Sequence, residues 1–332
     1  MKRFLYFFYY LQTLDRQKLL FFFNWVTNNT SLGKTTILVD IILSVFRYNV
    51  SVLDFFYFRF FNLTPKERKK WAGTGYMYEY QLRMNPKDAR QVLENKLKFL
   101  HNYKGFVRRD YCTRKGLEES TEKSDLLLNH PSGLIVLKDS LGQAGRAVEV
   151  KKTAGFTNGA LANYMQSKGY DLAEEYVVQH PDMNELSPSG LNTVRIITQI
   201  DKGQVDFLGA RLRISVNSMV DNMAAGNLAA PVDISTGRVN GPGVYSDITK
   251  SDQPVHPITG VQIIGFQIPF WPEVCHMARD AALFDTRNRS VGWDIAITED
   301  GPELIEGNHN WCKLLWQLPV KKGLKNELEK YR

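Results

Sequence analysis

The chain has 332 residues, enough for one large domain or two to three small ones. Its 43% hydrophobic and 23% charged content is ordinary for a soluble globular protein. The three cysteines, Cys112, Cys275 and Cys312, are odd in number and widely spaced, which excludes a zinc-binding spacing and a disulfide framework. This cysteine pattern favours a reducing compartment, and we expect a cytoplasmic protein.

The net charge of +7 is unevenly distributed along the chain. Residues 1–115 carry 21 Lys/Arg against 8 Asp/Glu, whereas the remainder carries 21 against 27. This asymmetry predicts that the N-terminal third meets an anionic partner, such as nucleotide phosphates, a lipid surface or an acidic glycan. A solvated basic face is the alternative.

Two N-terminal segments, residues 4–14 and 19–33, are uncharged and rich in aromatic residues. Neither provides the roughly 18 apolar residues that a membrane-spanning helix needs. We therefore expect buried helices. Because Lys and Arg interleave with Phe, Tyr and Trp, a helix lying peripherally at the inner face of the membrane is the alternative.

Hydrophobic spacing predicts an α+β protein with a helical N-terminal region, residues 1–84, and a larger unit, residues 85–332. In the first region, Thr64 and Pro65 have the residue types of a helix N-cap and first helical position. A second helix is expected over 85–103. Strands are expected over residues 134–137, 147–150, 176–179, 193–200 and 205–214, and helices near 158–168 and 272–283.

A β-hairpin is predicted near the C-terminus, around an Asp-Gly turn at residues 300–301. If the loop is 299–301, Asp294 lies opposite Glu306, and Asn308 shares their face. Two carboxylates held about 5 Å apart repel unless a cation lies between them or one is protonated. Asp, Glu and Asn oxygens suit a hard ion such as Mg²⁺. A solvent-facing hairpin edge is the alternative.

Two further patterns suit a nucleotide. Lys138 ends a strand before a turn that contains Gly142 and Gly145, and glycines let backbone N–H groups approach phosphate oxygens. The segment Glu174-Glu175-Tyr176-Val177 opens the next expected strand, whose edge could offer a purine both a donor and an acceptor. An ordinary hairpin turn and an ordinary strand are the alternatives.

In this order and spacing, the sequence resembles the ATP-grasp superfamily and, within it, the sugar-transfer-associated ATP-grasp family. The arginine-bearing strands (Arg195, Arg211 and Arg213) belong to the same order. The marks of the smaller family are Gln179-His180-Pro181, Asn192-Thr193-Val194-Arg195, Val220-Asp221-Asn222, Gly292-Trp293-Asp294 and Ile305-Glu306-Gly307-Asn308. The superfamily resemblance covers residues 86–317, and the pattern of the smaller family also reaches residues 58–79.

The resemblance implies an ATP-grasp fold, with ATP and Mg²⁺ as cofactors. Lys96 would match the first nucleotide-binding lysine, with an ordinary solvated helix lysine as the alternative. Lys138 would match the second lysine and contact the α- and β-phosphates, while Gly142 and Gly145 would lie in the flap over the phosphates.

For the adenosine part, the resemblance gives Glu174 and the backbone of Tyr176 and Val177 to adenine. The neighbouring Glu175 could shift this register by one residue, so either acid could be the one used. Asp182 lies where the ribose-binding residue is expected.

At the reacting end, the resemblance implies that Asp294, Glu306 and Asn308 coordinate Mg²⁺ that bridges the ATP phosphates. Arg195 and Arg211 would stabilise the transferred phosphoryl group or an acyl phosphate.

The resemblance implies a ligase that activates a carboxylate as an acyl phosphate and joins it to an amine. One substrate would be sugar-linked, for instance a uronic acid in the biosynthesis of a capsule or other polysaccharide, and no nucleic acid is expected as a partner. A kinase on the same scaffold and a non-catalytic scaffold for glycan assembly are the alternatives. The N-terminal region could contact a membrane or a glycosyltransferase.

The sequence departs from the superfamily pattern at three places. Asp139 follows the second lysine where many relatives have proline, and the flap has two glycines where many have three. Helices take the place of the usual N-terminal α/β domain, which often helps to form the acceptor site. The acceptor site is therefore open.

Overall fold

The computed structural model describes residues 2–119, 122–142 and 148–331. Its N-terminal part is helical, as expected. The six helices are α1 (Lys2–Gln12), α2 (Arg16–Asn29), α3 (Lys34–Tyr48), α4 (Val52–Tyr57), α5 (Pro65–Arg68) and α6 (Thr74–Met84). The predicted cap is confirmed, since the side chain of Thr64 accepts from the backbone N–H of Glu67, and Pro65 is the first residue of α5. No helix in the described ranges is both long and apolar enough to cross a membrane.

The N-terminal helices enclose an aromatic core. Phe22, Phe55, Phe56 and Phe60 are each at most 2% exposed. This core continues into the C-terminal part of the chain, because Leu314 and Leu318 pack against it. Burying aromatic side chains of this size stabilises the fold by about 1.5–3 kcal/mol each.

Residues 85–103 form two helices where one was expected. These are α7 (Lys87–Glu94) and α8 (Lys96–Asn102). Asn95 separates them, and its side chain accepts from the backbone N–H of Lys98. An asparagine that caps in this way competes with helix continuation. As a result, Lys96 begins a helix.

A four-stranded antiparallel sheet, here called the small sheet, follows in the order β1-β4-β2-β3. Its strands are β1 (Tyr111–Thr113), β2 (Leu134–Lys138), β3 (Val148–Lys152) and β4 (Leu172–Glu175). Helices α9 (Arg114–Glu118), α10 (Glu122–Leu128) and α11 (Asn158–Lys168) belong to the same part of the chain. Ile135 and Leu137 are buried with Leu127 and Leu161 from these helices.

The strand expected over residues 176–179 is wrong. The neighbouring strand β4 already ends at Glu175. Its last pair with β2 joins Glu175 to Ile135. Further along, His180 donates its backbone N–H to the carbonyl of Ile297 in the other sheet, at 2.7 Å. The chain has thus left the small sheet. Glu174 and Glu175 close a strand where they were expected to open one.

The second sheet, here called the large sheet, has five antiparallel strands in the order β7-β6-β5-β8-β9. They are β5 (Thr193–Asp201), β6 (Gln204–Ile214), β7 (Leu228–Val232), β8 (Ser290–Thr298) and β9 (Gly301–Asn308). The remaining helices are α12 (Pro181–Leu186), α13 (Trp271–Phe284), α14 (Lys313–Gln317) and α15 (Lys325–Glu329). Val274, Ala278 and Ala281 of α13 are buried in the core that includes Val194, Ile196 and Trp293 of the sheet.

The β8–β9 hairpin places Asp294 opposite Glu306, as the sequence predicts. The turn itself differs, because Thr298 pairs with Gly301 and the pairing shifts between Asp294 and Ile295. Ile305 is the additional residue at this bulge, since Ile295 pairs with Leu304. A bulge leaves one residue of a strand unpaired and shifts the register by one residue beyond it, which here brings Asp294 opposite Glu306.

Candidate active site

A cavity of about 480 Å³ is lined by residues of both sheets and of the N-terminal helices. Its apolar lining includes Val136, Val148 and Val150 from the small sheet and Ile305 from β9. Within the small sheet, Val136 pairs with Val150 on β3 and with Glu174 on β4. The apolar side chains therefore share a strand face with charged groups.

Lys138 and Glu174 form a buried ion pair, with 2.9 Å between the lysine Nζ and the glutamate Oε2. Arg109 donates to the same Oε2 at 2.5 Å. Burial alone would raise the pKa of Glu174, but Lys138 and Arg109 outweigh it and lower this pKa to about 2. Glu174 is thus a buried anion that fixes Lys138 at the cavity.

Lys96 lies in the lining of the same cavity. Its Nζ donates to the carbonyl of Asp139 at 3.0 Å and to that of Gly142. Burial lowers the pKa of Lys96, and the charge of Lys138 acts in the same direction while Glu306 opposes it. The structure therefore brings both predicted lysines into one cavity, with Gly142 at its edge. Gly145 lies outside the described residues.

Glu175, Tyr176 and Val177 also line the cavity. The Oε2 atom of Glu175 accepts from the backbone N–H of Asp110 at 3.0 Å, and its Oε1 atom lies 2.6 Å from Nε2 of His130. Both candidate acids of this segment are therefore engaged by other groups of the protein, Glu174 by cations and Glu175 by a backbone amide and a histidine.

Two arginines and one aspartate of the large sheet form a network with Asp221, which lies between β6 and β7. Arg195 binds Asp294 through Nε and Nη2, and Arg213 donates to the same carboxylate at 2.5 Å. Arg213 also lies 2.7 Å from Asp221, which accepts from the backbone N–H of Thr193 at 3.0 Å. Burial raises the pKa of Asp221 to about 6 although Arg213 opposes the shift. All five residues line the cavity.

The network sets the charge of Asp294. Burial would raise the pKa of Asp294, but Arg195 and Arg213 lower it well below its usual range. On the other side, the two aspartates raise the pKa of the Arg213 guanidinium against its burial. Asp294 is thus held as an anion and Arg213 as a cation in a place largely closed to water.

Two predicted site residues lie elsewhere. Arg211 pairs with Arg195 in the sheet, but its guanidinium donates to the carbonyl of Trp316 at 2.6 and 3.1 Å and is absent from the cavity lining. Burial lowers the pKa of Arg211 to about 10. Asp182 is exposed on α12 and does not line the cavity either.

The predicted metal ligands Asp294, Glu306 and Asn308 all line the cavity. Asn308 donates its amide to Oε1 of Glu306 at 3.0 Å, while Asp294 holds the two arginines. In the described residues, no three His, Cys, Asp or Glu side chains group to hold a metal ion. Two carboxylates and an amide oxygen still fit Mg²⁺, which takes one or two protein carboxylates together with phosphates.

Sequence reasoning assigned no role to Arg213, Arg109 or Thr193. A signal existed for Arg213, because residues two apart on a strand share a face and Arg211 was a candidate. Thr193 lies within the motif Asn192-Thr193-Val194-Arg195, and Asp221 lies within Val220-Asp221-Asn222. Arg109 has no local signal, since its partners Glu174 and Glu303 are distant in the sequence.

The sequence pattern of the family described as sugar-transfer associated ATP-grasp matches residues 76–332. The chain belongs to this family. Its fold is the ATP-grasp fold, α+β with a helical N-terminal region, and the fold predicted from the sequence is confirmed. No curated protein matches the chain.

Three solved structures of ligases or carboxylases are similar to this chain at low sequence identity. The biotin carboxylase–β-γ-ATP complex from Campylobacter jejuni is 12% identical, with 78% of this chain and 52% of that chain covered and a TM-score of 0.48. The ATP-grasp ligase PsnB with its minimal precursor is 11% identical, covering 74% and 61%, with a TM-score of 0.44. An L-amino acid ligase from Bacillus licheniformis is 12% identical, covering 71% and 48%, with a TM-score of 0.39. The aligned part of this chain thus spans about half the length of these structures.

Proposed function

We propose that this protein is an ATP-dependent ligase that activates a carboxylate as an acyl phosphate and joins it to an amine. The observation that carries the proposal is the convergence of Lys96 and Lys138 in one cavity with the Arg195–Asp294–Arg213 network. Two lysines and two arginines around one cavity suit a polyanion such as a triphosphate. Membership of the ATP-grasp family supports the same choice of nucleotide.

In the nucleotide half, we assign the ammonium groups of Lys96 and Lys138 to the phosphates. Glu174 holds the Lys138 ammonium in place through their ion pair. The backbone of Tyr176 and Val177 would hold the adenine ring, because the chain runs past the valine-lined end of the cavity without joining a sheet. Asp182 would bind the ribose after a movement of α12 toward the cavity.

Asp294, Glu306 and Asn308 would hold Mg²⁺. Bound there, the ion would neutralise charge on the phosphates of ATP and orient them for transfer. Asp294 would then be shared between the ion and the arginines, since an ionised carboxylate offers about four acceptor positions.

Arg195 and Arg213 are the residues to which we give the stabilisation of the transferred phosphoryl group. Arg213 takes this role in place of Arg211, whose guanidinium is held by the carbonyl of Trp316. In the first step, an oxygen of the carboxylate attacks the γ-phosphorus and ADP leaves. In the second, the amine attacks the acyl carbon, releasing inorganic phosphate and a proton as the amide forms.

The substrates are a finer part of the proposal. The family is described as sugar-transfer associated, which supports a sugar-linked carboxylate or amine in polysaccharide biosynthesis. The cysteine usage supports a cytoplasmic site of action, and the basic N-terminal region supports contact with a membrane or a glycosyltransferase. A boundary between residues 84 and 85 is part of the same proposal.

Calorimetry of ATP binding, with and without Mg²⁺, tests the nucleotide site. We expect wild type to bind ATP in a Mg²⁺-dependent way and Glu306→Ala to lose most of that dependence. Glu299→Ala is the matched control, because Glu299 is exposed in the hairpin turn and should bind like wild type. Absence of ATP binding by wild type under both conditions would overturn the proposal.

Product analysis then separates the ligase from a kinase. A ligase given a uronic acid and an amine releases phosphate and ADP in equal amounts together with an amide. A phosphorylated acceptor formed without stoichiometric phosphate would refute the ligase.

A further inference from the structure

Exposed apolar side chains are concentrated at the N-terminus. Of the 22 large hydrophobic residues that are exposed in the described ranges, eleven lie within residues 4–43. Leu5, Phe8 and Leu43 are among the most exposed, at 67%, 61% and 60%. Single exposed apolar residues are normal on a protein surface, whereas a group of this size marks an interaction site.

Two adjacent helices supply most of these side chains. On α1, Leu5 and Phe8 lie away from the buried Tyr10, and on α3 Val39 and Leu43 lie away from the buried Ile41. The helices contact each other through Phe46, whose ring centroid is 5.0 Å from that of Phe4 and 5.3 Å from that of Phe7. Each helix thus buries one stripe and leaves a second apolar stripe in solvent. We call the exposed side of α1 and α3 the N-terminal apolar face.

Basic residues accompany this face. Residues 1–48 contain six Lys/Arg and two Asp, and no Glu. Both aspartates are already engaged, since Asp15 caps α2 and Asp40 pairs with Arg68 at 2.5 Å. Arg3, Lys34 and Arg47 are exposed. The surface that accompanies the apolar side chains is therefore positive.

We propose that the N-terminal apolar face docks on an anionic lipid bilayer, with α1 and α3 lying in the plane of the interface. An apolar helix face bordered by lysine and arginine gains from burial between the acyl chains and from attraction to anionic headgroups. A second copy of the chain is a poorer occupant, because a symmetric contact would bring two positive borders together.

Docking at this face has a consequence for the substrate. Lys18 of α2 lines the cavity, and Leu20 and Phe21 of the same helix are exposed. A single helix therefore takes part in the cavity wall and carries exposed apolar side chains. An acceptor attached to a lipid is the substrate class that suits this arrangement, a consequence that rests on the proposed function, whereas the docking itself does not.

Vesicle flotation tests the docking with the full chain. The vesicles are pure phosphatidylcholine, or equal parts of phosphatidylcholine and phosphatidylglycerol. We expect wild type to float with the anionic vesicles and to be released by added NaCl. The triple variant Leu5→Gln, Phe8→Gln, Leu43→Gln should bind about tenfold more weakly or worse, since three apolar contacts are lost.

The matched control is Leu126→Gln, Ile258→Gln, Phe284→Gln, which changes three side chains of 53%, 59% and 56% exposure outside the N-terminal helices. It should float like wild type. Equal binding by both triple variants, or no flotation of wild type with anionic vesicles, would overturn the proposal. If light scattering showed that wild type is a dimer and only the first triple variant is a monomer, and wild type did not bind vesicles, the face would be assigned to a second copy instead. ATP calorimetry on both variants keeps a failure of docking separate from a failure of the nucleotide site.

Discussion

Lys96 lies in surroundings that lower its pKa, so it loses its proton at a lower pH than an ordinary lysine. Its ammonium is partly withdrawn from water, with carbonyls as partners and Lys138 nearby, and its pKa is lowered by burial. Above that pKa the side chain is neutral and attracts phosphate less. We therefore predict that ATP affinity falls as the pH rises through a range below the usual lysine pKa, by at most about tenfold per pH unit beyond the pKa of Lys96.

Calorimetry or fluorescence titration with ATP over an alkaline pH series measures this dependence. Lys96→Arg is the control, because an arginine stays protonated throughout the series. The variant should bind ATP with little change over the same range. A fall in affinity of equal slope in both proteins would show that another group titrates.

The two arginines of β6 illustrate where sequence reasoning stops at the residue scale. Alternation places Arg211 and Arg213 on one face, and nothing local distinguishes them. The distinction comes from α14, where the carbonyl of Trp316 accepts from Arg211, 105 positions away in the chain. Arg213 has Asp221 and Asp294 as partners and so lines the cavity. A contact of this range is set by the tertiary fold.

At the scale of elements, the pairing of Asp294 with Glu306 in the hairpin was predictable, whereas the conformation of its turn was not. The Asp-Gly dipeptide and the apolar runs indicated two paired strands, and Asp294 does face Glu306. The loop is one residue shorter than expected, and the bulge at Ile305 compensates. Turn and bulge depend on backbone conformations that residue types constrain weakly. The strand expected over 176–179 does not form for a related reason. Its residues have β propensity, but no partner strand lies beside them.

Gly292 on β8 shows how closely this element fits its surroundings. A Cβ atom at Gly292 would lie 2.8 Å from Cβ of Trp311 and 2.9 Å from Cδ of Arg195. We predict that Gly292→Ala lowers the free energy of unfolding by about 1–3 kcal/mol, the usual cost of overpacking. Displacement of Arg195 from Asp294 should also slow ATP turnover.

Urea denaturation and a phosphate-release assay measure the two effects. Gly159→Ala is the matched control, since a Cβ at Gly159 meets no atom within 4 Å and its place in α11 favours alanine. The control should be as stable as wild type or up to about 1 kcal/mol more stable. Equal stability and turnover of the two variants would contradict the tight packing of β8 against Arg195.

At the scale of the whole molecule, Arg109 joins the two sheets. Its guanidinium donates to Glu174 of β4 at 2.5 Å and to Glu303 of β9 at 2.8 Å, and also to the carbonyl of Leu304 at 2.9 Å. The side chains of Arg109 and both glutamates are at most 5% exposed. One buried cation therefore satisfies carboxylates that belong to different sheets, which fixes the small sheet relative to the large sheet across the cavity.

Arg109→Gln leaves Glu303 without its cation and Glu174 with Lys138 alone. Breaking a buried ion pair by removing one partner costs about 3–5 kcal/mol, and we predict a loss of this size in the free energy of unfolding at neutral pH. A buried carboxylate without its cation has a raised pKa, so the penalty is present above that pKa and shrinks as falling pH protonates the carboxylate. The deficit relative to wild type should thus be smaller at pH 5 than at pH 7.

Arg108→Gln separates this role from a general effect of lost positive charge. Arg108 is the neighbouring residue, but it is exposed and donates to the carbonyl of Asp300 at 2.7 Å, so its replacement should change the free energy of unfolding by about 0.5 kcal/mol or less. Urea denaturation at the two pH values gives all four deficits. If the deficit of Arg109→Gln were independent of pH, the stranded carboxylates would not be its cause, and lost packing of the arginine stem between the sheets would explain it instead.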